Sequence, residues 1–307
     1  MILAIRLVPY DQLDRAKWDR CVCGAANRLI YARSVYLDAL AGQWDALVED
    51  DYVSVMPLCH RRKYGIRYLY QPPFTAQLGV FSPHPSEKLV KEFLDKIPAA
   101  YRLWDISLNP RNSYETGYPF RLRRNFVLEL NRPYQTLESG FREQTQRNIR
   151  KANGLGLTVV TQFEIQEVFD LYGRLPGKRR LISAHDLSRF AGLCQRWLPK
   201  EDVQVYGVRD EEGRLLSAAV FLIDAGRAYY LFPVNTEEAK KTGAAHLLLG
   251  RFISDHAHTD LLLDFEGSDV PGVAFFYTGF GAREELYPAI WINRLPWPFR
   301  WLKRSPS

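Results

Sequence analysis

The chain repeats its own grammar, and that repeat limits its possible folds more than any other feature. "FLDKIPAAYRLWDIS", residues 93–107, and "FISDHAHTDLLLDFE", residues 252–266, each run out of a helical stretch into an apolar strand with an aspartate inside it. Asp105 and Asp264 stand 159 residues apart in a chain of 307, close to half its length. A self-similarity of this period points to two alike units in one chain.

The element order agrees. Hydrophobic periodicity and turn residues predict a strand at 2–7, helices near 11–20 and 34–41, and a strand-rich stretch from Trp44 to Phe81 with a hairpin around Glu49–Asp51. A helix at 86–97 stops before Pro98, and "RLWDISLN" is the next strand. The second half is expected to hold a helix at 136–152, the strand "LTVVTQ", helices at 164–175 and 186–197, and strands at 203–209, 215–223 and 227–233. A helix at 239–257, the strand "LLLDFEG", a short helix near 270–279 and a strand at 286–292 follow. The expected class is α/β with mixed sheets in two tandem domains, 1–130 and 131–307, bordering near Asn131–Pro133.

Apolar residues make up 47% of the chain, enough for ordinary cores without disulfide staples. Cys21, Cys23, Cys59 and Cys194 form no C-x-x-C pair and have no histidine cluster beside them, so no metal site and a reducing, cytoplasmic compartment are expected. The opening "MILAIRLVPY" is interrupted by Arg6 and reads as a strand rather than a leader. No run approaches the roughly 18 apolar residues of a membrane-spanning helix. A net charge of +6 and a pI of about 9.1 favour acidic partners without choosing among them. There is no G-x-S-x-G, Walker A, H-E-x-x-H or strand-borne G-x-G-x-x-G pattern, which argues against the chemistries those motifs serve.

The sharpest candidate for chemistry is "EEAKKTGAAHLLLGRFI", residues 237–253. Lys240, Lys241, Thr242, Gly243, Ala244 and Ala245 stand at the start of an amphipathic helix just after a strand. A helix start offers unbonded N–H groups and partial positive charge, small residues let a pyrophosphate approach, and lysines add charge. A plain helix N-terminus capped by Thr242 accounts for the same residues. Pro233 cannot donate to a ladder, so a strand that parts from its neighbour there would leave N–H groups to hold an acyl carbonyl. An edge strand running into a turn explains it equally. Glu266 stands at the carboxyl end of "LLLDFEG", where open α/β sheets present their sites, and Asp264 points to the same face; either can serve as a base or as an ion-paired structural acid.

Basic residues gather in three places. In "TQRNIRKANGLGLTVV", residues 145–160, Arg147, Arg150 and Lys151 give one helix a cationic face, which either stays solvated or meets an anionic substrate. "GRLPGKRRLISAHD" sets Lys178, Arg179 and Arg180 in a loop as further candidate substrate contacts, with His185 nearby. The tail "RLPWPFRWLKRSPS", with Trp297, Trp301, Lys303 and Arg304, suits peripheral contact with an anionic membrane or folds back on its domain.

Taken together, three strands, a helix start reading Lys240-x-x-Gly243-x-Ala245, a strand, a short helix and a last strand resemble the GNAT family of acyltransferases, whose motif is Arg or Gln, two residues, Gly, one residue, and Gly or Ala. Lys240 departs from it. The doubling, with "RNIRKANGLGLTVV" opening the second half and "LDFEGSDVPGVAFFYTGFGA" near its end, resembles the FemAB-like branch with two GNAT-type domains per chain. The resemblance covers most of 131–293 and, more faintly, the first half. It implies acyl transfer from an acyl-CoA thioester to a small-molecule or peptide amine. It also implies that backbone near Val234 and Asn235 meets the thioester carbonyl, and that Tyr277 protonates the leaving thiolate. As alternatives it implies an aminoacyl-tRNA-dependent transferase, or a module that binds an anionic ligand without catalysis. Tyr277 lies in the aromatic run "VAFFYTGF", a pattern that equally suits a core.

Overall fold

The computed structural model describes residues 4–112, 116–161, 163–177, 182–197 and 199–297, with only the backbone of Trp197 and Lys200. The chain forms two compact units, one of residues up to Arg123 with those from Leu286 on, the other of Arg124–Glu285.

The first unit opens with β1 (Ile5–Val8), α1 (Arg15–Gly24), whose N-cap Asp14 accepts from Lys17 N, and α2 (Ser34–Leu40). The hairpin of β2 (Trp44–Glu49) and β3 (Ser54–Lys63) follows, turning through Asp50 and Tyr52 at positive φ. Next come β4 (Ile66–Leu69), α3 (Glu87–Asp95), capped by Ser86, and β5 (Tyr101–Ser107). β6 (Phe120–Glu129) carries the chain into the second unit.

There, α4 (Tyr134–Ser139), α5 (Glu143–Gly154), β7 (Thr158–Val160), α6 (Ile165–Arg174) and α7 (Ala184–Gly192) precede β8 (Val203–Arg209), β9 (Leu215–Asp224) and β10 (Arg227–Asn235). They are followed by α8 (Glu237–Thr242), α9 (Ala244–Asp255), β11 (Leu262–Asp264) and α10 (Pro271–Thr278), and β12 (Arg283–Asn293) leads out.

The repeat is real at the level of strand pairing. Strands run β1-β2-β3-β4-β5-β12 in the first unit and β7-β8-β9-β10-β11-β6 in the second. Each set has one parallel pair, β4 with β5 and β10 with β11, joined through α3 in one and α8–α9 in the other; the remaining pairs are antiparallel. The sixth strand comes from outside the run of five, and Ala289–Asn293 of β12 pair with β5.

Two helices expected to be continuous are broken. The stretch 136–152 divides at Gly140, where Phe141 turns inward to pack on Phe280 (5.3 Å) and Arg142 N donates to Gly279 O (2.8 Å). The stretch 239–257 divides at Gly243, whose left-handed φ of 84° ends α8 and begins α9. Each unit has its own core. Leu69, Phe93, Tyr101 and Trp104 are central to the first, and in the second Phe221 stacks on Phe252 at 3.8 Å among Phe126, Leu248 and Phe265.

Candidate active site

The second unit opens where its parallel pair ends. β10 stays paired with β9 as far as Asn235, across a bulge at Tyr230/Phe232, whereas β11 follows β10 only from Arg227 to Tyr229. Past Asp264 the chain keeps to β6, with Phe265 N donating to Phe126 O (2.9 Å). The strands therefore part at Tyr229/Asp264, earlier than the break expected at Pro233. Beyond that point lies a cleft of about 390 Å³. Tyr230, Pro233 and Asn235 line it from β10, Lys240 from α8, Ala245 and His246 from α9, and Phe276 and Tyr277 from α10.

At the corresponding place in the first unit there is about 10 Å³. Ser107 N donates to Gln71 Oε1 (3.0 Å), Leu78 N donates to Ser107 O (2.8 Å), and Leu78 bridges to Leu108, so the chain after β4 fills the gap. α3 there begins with Ser86-Glu87 and lacks the Lys-x-x-Gly-x-Ala pattern.

The residues expected to hold phosphates divide by direction. Lys240 and Ala245 line the cleft, with Lys240 exposed beside Glu237 (3.6 Å). Gly243 faces away from it: a Cβ there would meet the Asn148 carbonyl oxygen at 2.5 Å, so glycine is required for the close crossing of α5. Ala244 is fully buried, and the Lys241 carbonyl accepts from Lys151 Nζ (2.7 Å). Thr242 is not the cap; its hydroxyl donates to Glu238 O (2.9 Å), and Thr236 caps α8 by accepting from Ala239 N (3.0 Å). At the end of β10 the Val234 side chain is buried, while Asn235 Oδ1 accepts from Ser217 Oγ (2.6 Å) and Asn235 lines the cleft.

The two carboxylates are not equivalent. Asp264 is 2% exposed, and both its oxygens are engaged, one by Arg227 Nε (2.7 Å) and one by the N–H of Glu266 (2.9 Å). Arg227 also reaches Glu285 (3.0 Å). Burial, the largest single influence, works against the Arg227 charge, but Asp264, Tyr229 and Glu285 together outweigh it and the guanidinium is held above its usual range. A buried carboxylate paired this way is committed to its partner, since losing Arg227 would leave it uncompensated. Glu266 is half-buried with φ at +67°, a left-handed conformation that few side chains adopt; the bond from its N–H to Asp264 holds it there. Tyr277 packs against Phe265 (5.1 Å) and Tyr230 (6.3 Å). Burial, then the charges of Glu266 and Asp264, raise its phenol well above its usual range, so it is protonated at neutral pH.

Among the basic residues, Arg147 and Arg150 are exposed on α5, and Arg147 pairs with Glu143 (3.1 Å). The inner face of that helix is Thr145, Ile149 and Ala152, so packing on α9 is what its sequence chiefly serves. Lys178, Arg179 and Arg180 lie outside the described residues, as do Trp301, Lys303 and Arg304; Trp297 is exposed. His246 and Tyr230 line the cleft with no forewarning in the sequence. His246 stands one residue beyond the motif, and Tyr230 alternates along a strand that reads as core.

Residues 139–269 match the family described as acetyltransferase (GNAT) domain. Over that stretch the chain is similar to a GNAT acetyltransferase domain. The match lies inside the second unit and includes every cleft residue named above except Phe276 and Tyr277. Among solved structures the fold is similar to FemX (TM-score 0.67, 12% identity, covering 94% of this chain and 98% of that one). A conserved protein of unknown function from Bacteroides thetaiotaomicron VPI-5482 gives a TM-score of 0.59 at 10% identity, covering 94% and 100%. L-PGS from Bacillus licheniformis gives 0.56 at 11%, covering 96% of each chain. These likenesses show a mixed α/β fold like that of FemX over nearly the whole chain, in keeping with two tandem GNAT-like domains. No curated protein matches the chain. No described helix is long and apolar enough to cross a membrane, and among the described residues no group of three or more His, Cys, Asp and Glu side chains is placed to hold a metal ion.

Proposed function

We propose that the second unit transfers an acyl group from a coenzyme A thioester to an amine. The observation that carries this reading is the cleft at the parting of β10 and β11, with a helix start and Lys240 on one side and a protonated tyrosine inside. The start of α9 and Lys240 attract the donor's pyrophosphate, while Ala245 leaves it room. Backbone at Val234 and Asn235 meets the thioester carbonyl. The amine nitrogen bonds to the carbonyl carbon and the carbon–sulfur bond breaks; Glu266 takes the amine's proton and Tyr277 gives its own to the leaving thiolate. The acceptor class is a small-molecule or peptide amine.

A second reading, aminoacyl transfer from a transfer RNA, is favoured by the exposed Arg142, Arg147 and Arg150 along α5. Calorimetric titration with coenzyme A separates the two. Micromolar binding by the native chain, weakened at least tenfold by Lys240→Glu and by Ala245→Asp, is expected, since both place negative charge where the pyrophosphate sits. Asp is well tolerated in a first helical turn, so loss of fold does not explain loss of binding. No binding by the native chain, together with transfer-RNA association that weakens steeply with salt, would replace the first reading by the second.

A further inference from the structure

His246 reaches the cleft from the first turn of α9, yet its partner sits on α5. Four side chains are joined in a line there. Arg147 Nη2 lies 3.0 Å from Gln144 Oε1, Gln144 Nε2 lies 3.3 Å from Asn148 Oδ1, and Asn148 Nδ2 lies 3.2 Å from His246 Nε2. A guanidinium can only donate, so the first bond sets the sense of all the others. Gln144 must present its oxygen to Arg147 and its NH₂ to Asn148, and Asn148 must then present its NH₂ to the imidazole. Nε2 is left as the acceptor, and the ring proton belongs on Nδ1.

Asn148 is not free to turn away. Its carbonyl is pressed against Gly243, where even a Cβ would clash, so the backbone that carries the amide is locked against the α8–α9 junction. The ring is held as well, edge-on to Phe276 at 4.7 Å and over Phe280 at 5.9 Å. Among the described residues the buried side-chain atoms without a partner are Glu49 Oε1, Gln77 Oε1 and Asn125 Oδ1, so Nδ1 is not sealed in, and the residue that carries it lines the cleft.

We infer that His246 is a fixed, uncharged hydrogen-bond donor of the cleft, its tautomer set by the Arg147–Gln144–Asn148 relay, and that Nδ1–H takes a carbonyl oxygen of the bound acyl donor. A carbonyl is the matching acceptor because aromatic packing disfavours the imidazolium, and an uncharged N–H offers a phosphate none of the charge attraction that a cation such as Lys240 supplies. The carbonyl can belong to the amides of the pantetheine arm or to the thioester. This inference rests on the coenzyme A reading for the identity of its ligand, but the state of the ring does not depend on that reading.

Nitrogen-15 NMR of the histidine rings, read on the full chain alongside calorimetry, tests it. Native His246 is expected in the Nδ1–H form at pH 7. Asn148→Asp, whose carboxylate can only accept, is expected to move the proton to Nε2, and Asn148→Gln to keep it on Nδ1. The Nδ1 signal is expected to shift on saturation with coenzyme A if a pantetheine amide is the partner, or only with acetyl-coenzyme A if it is the thioester. A native ring that is charged or in the Nε2–H form overturns the inference whatever binds. An Nδ1 signal unmoved by both ligands, when calorimetry shows them bound, overturns it and leaves the donor reading standing. Absence of any binding overturns the donor reading and, with it, the carbonyl assigned to His246.

Discussion

Burial sets the charge of the cleft's two proton-bearing rings from opposite sides. It raises the Tyr277 phenol and lowers the His246 imidazole to about 4, so both are neutral at pH 7. For His246 this has a consequence for stability. The unfolded chain binds the proton near the ordinary value of 6.5 and the native chain only near 4, so in that window the unfolded state holds more protons. Stability is therefore full above about pH 6.5 and falls as the pH drops towards 4, by roughly 3 kcal/mol at most from this one group. Urea unfolding at pH 7 and at pH 4.5 is expected to show a smaller acid loss for His246→Leu than for the native chain. An equal loss would mean the ring is not buried neutral. That Lys240, Ala245 and Tyr277 share the cleft was legible, because their places relative to a helix start or a strand follow from local pattern. The contacts of Asp264 and His246 were not. A strand aspartate reads the same whether an arginine 37 residues earlier pairs with it or not, and His246 gains its meaning from Asn148, 98 residues before it.

At the scale of elements, α5 and the α8–α9 junction act as one piece. The helix that looked like a cationic surface presents Asn148, Ile149 and Ala152 inward, and Gly243 and Gly250 are where it comes closest to α9. Gly243 combines a left-handed φ with a carbonyl in the space of its missing Cβ. Gly243→Ala is expected to cost about 2–4 kcal/mol, from backbone strain and displacement of α5 together. Gly272→Ala, with nothing within 4 Å of its Cβ, is the matched control and is expected to be neutral or slightly stabilising. Thermal unfolding of the two variants checks this, and equal midpoints would show that α5 yields readily. The breaks at Gly140 and Gly243 were not legible, because a glycine within a helical pattern is often tolerated. Only Phe141 entering the core and Asn148 crossing the junction make these two into ends.

Over the whole molecule the same pairing scheme is used twice, and one copy has lost its opening. The repeat was visible as a helix, a strand and an aspartate, yet Asp105 is exposed where Asp264 is buried, so the match in sequence does not carry a match in role. The difference between the halves lies in residues 71–80, which read only as a Pro-broken stretch. In the structure Gly79, at a φ of +96°, lets this segment approach Leu108 closely, and Leu78 seals the place where the first unit's parallel strands would part. A coenzyme A arm needs far more room than the 10 Å³ left there, whereas the second unit has about 390 Å³. The doubled fold is therefore expected to bind one donor per chain. Calorimetry under tight-binding conditions should give a stoichiometry of one, with that single site weakened at least tenfold by changes at Lys240 and Ala245 alone. A stoichiometry of two, or a site whose affinity neither change moves, would mean that the segment after β4 moves aside and that the first unit keeps the function its pairing scheme suggests.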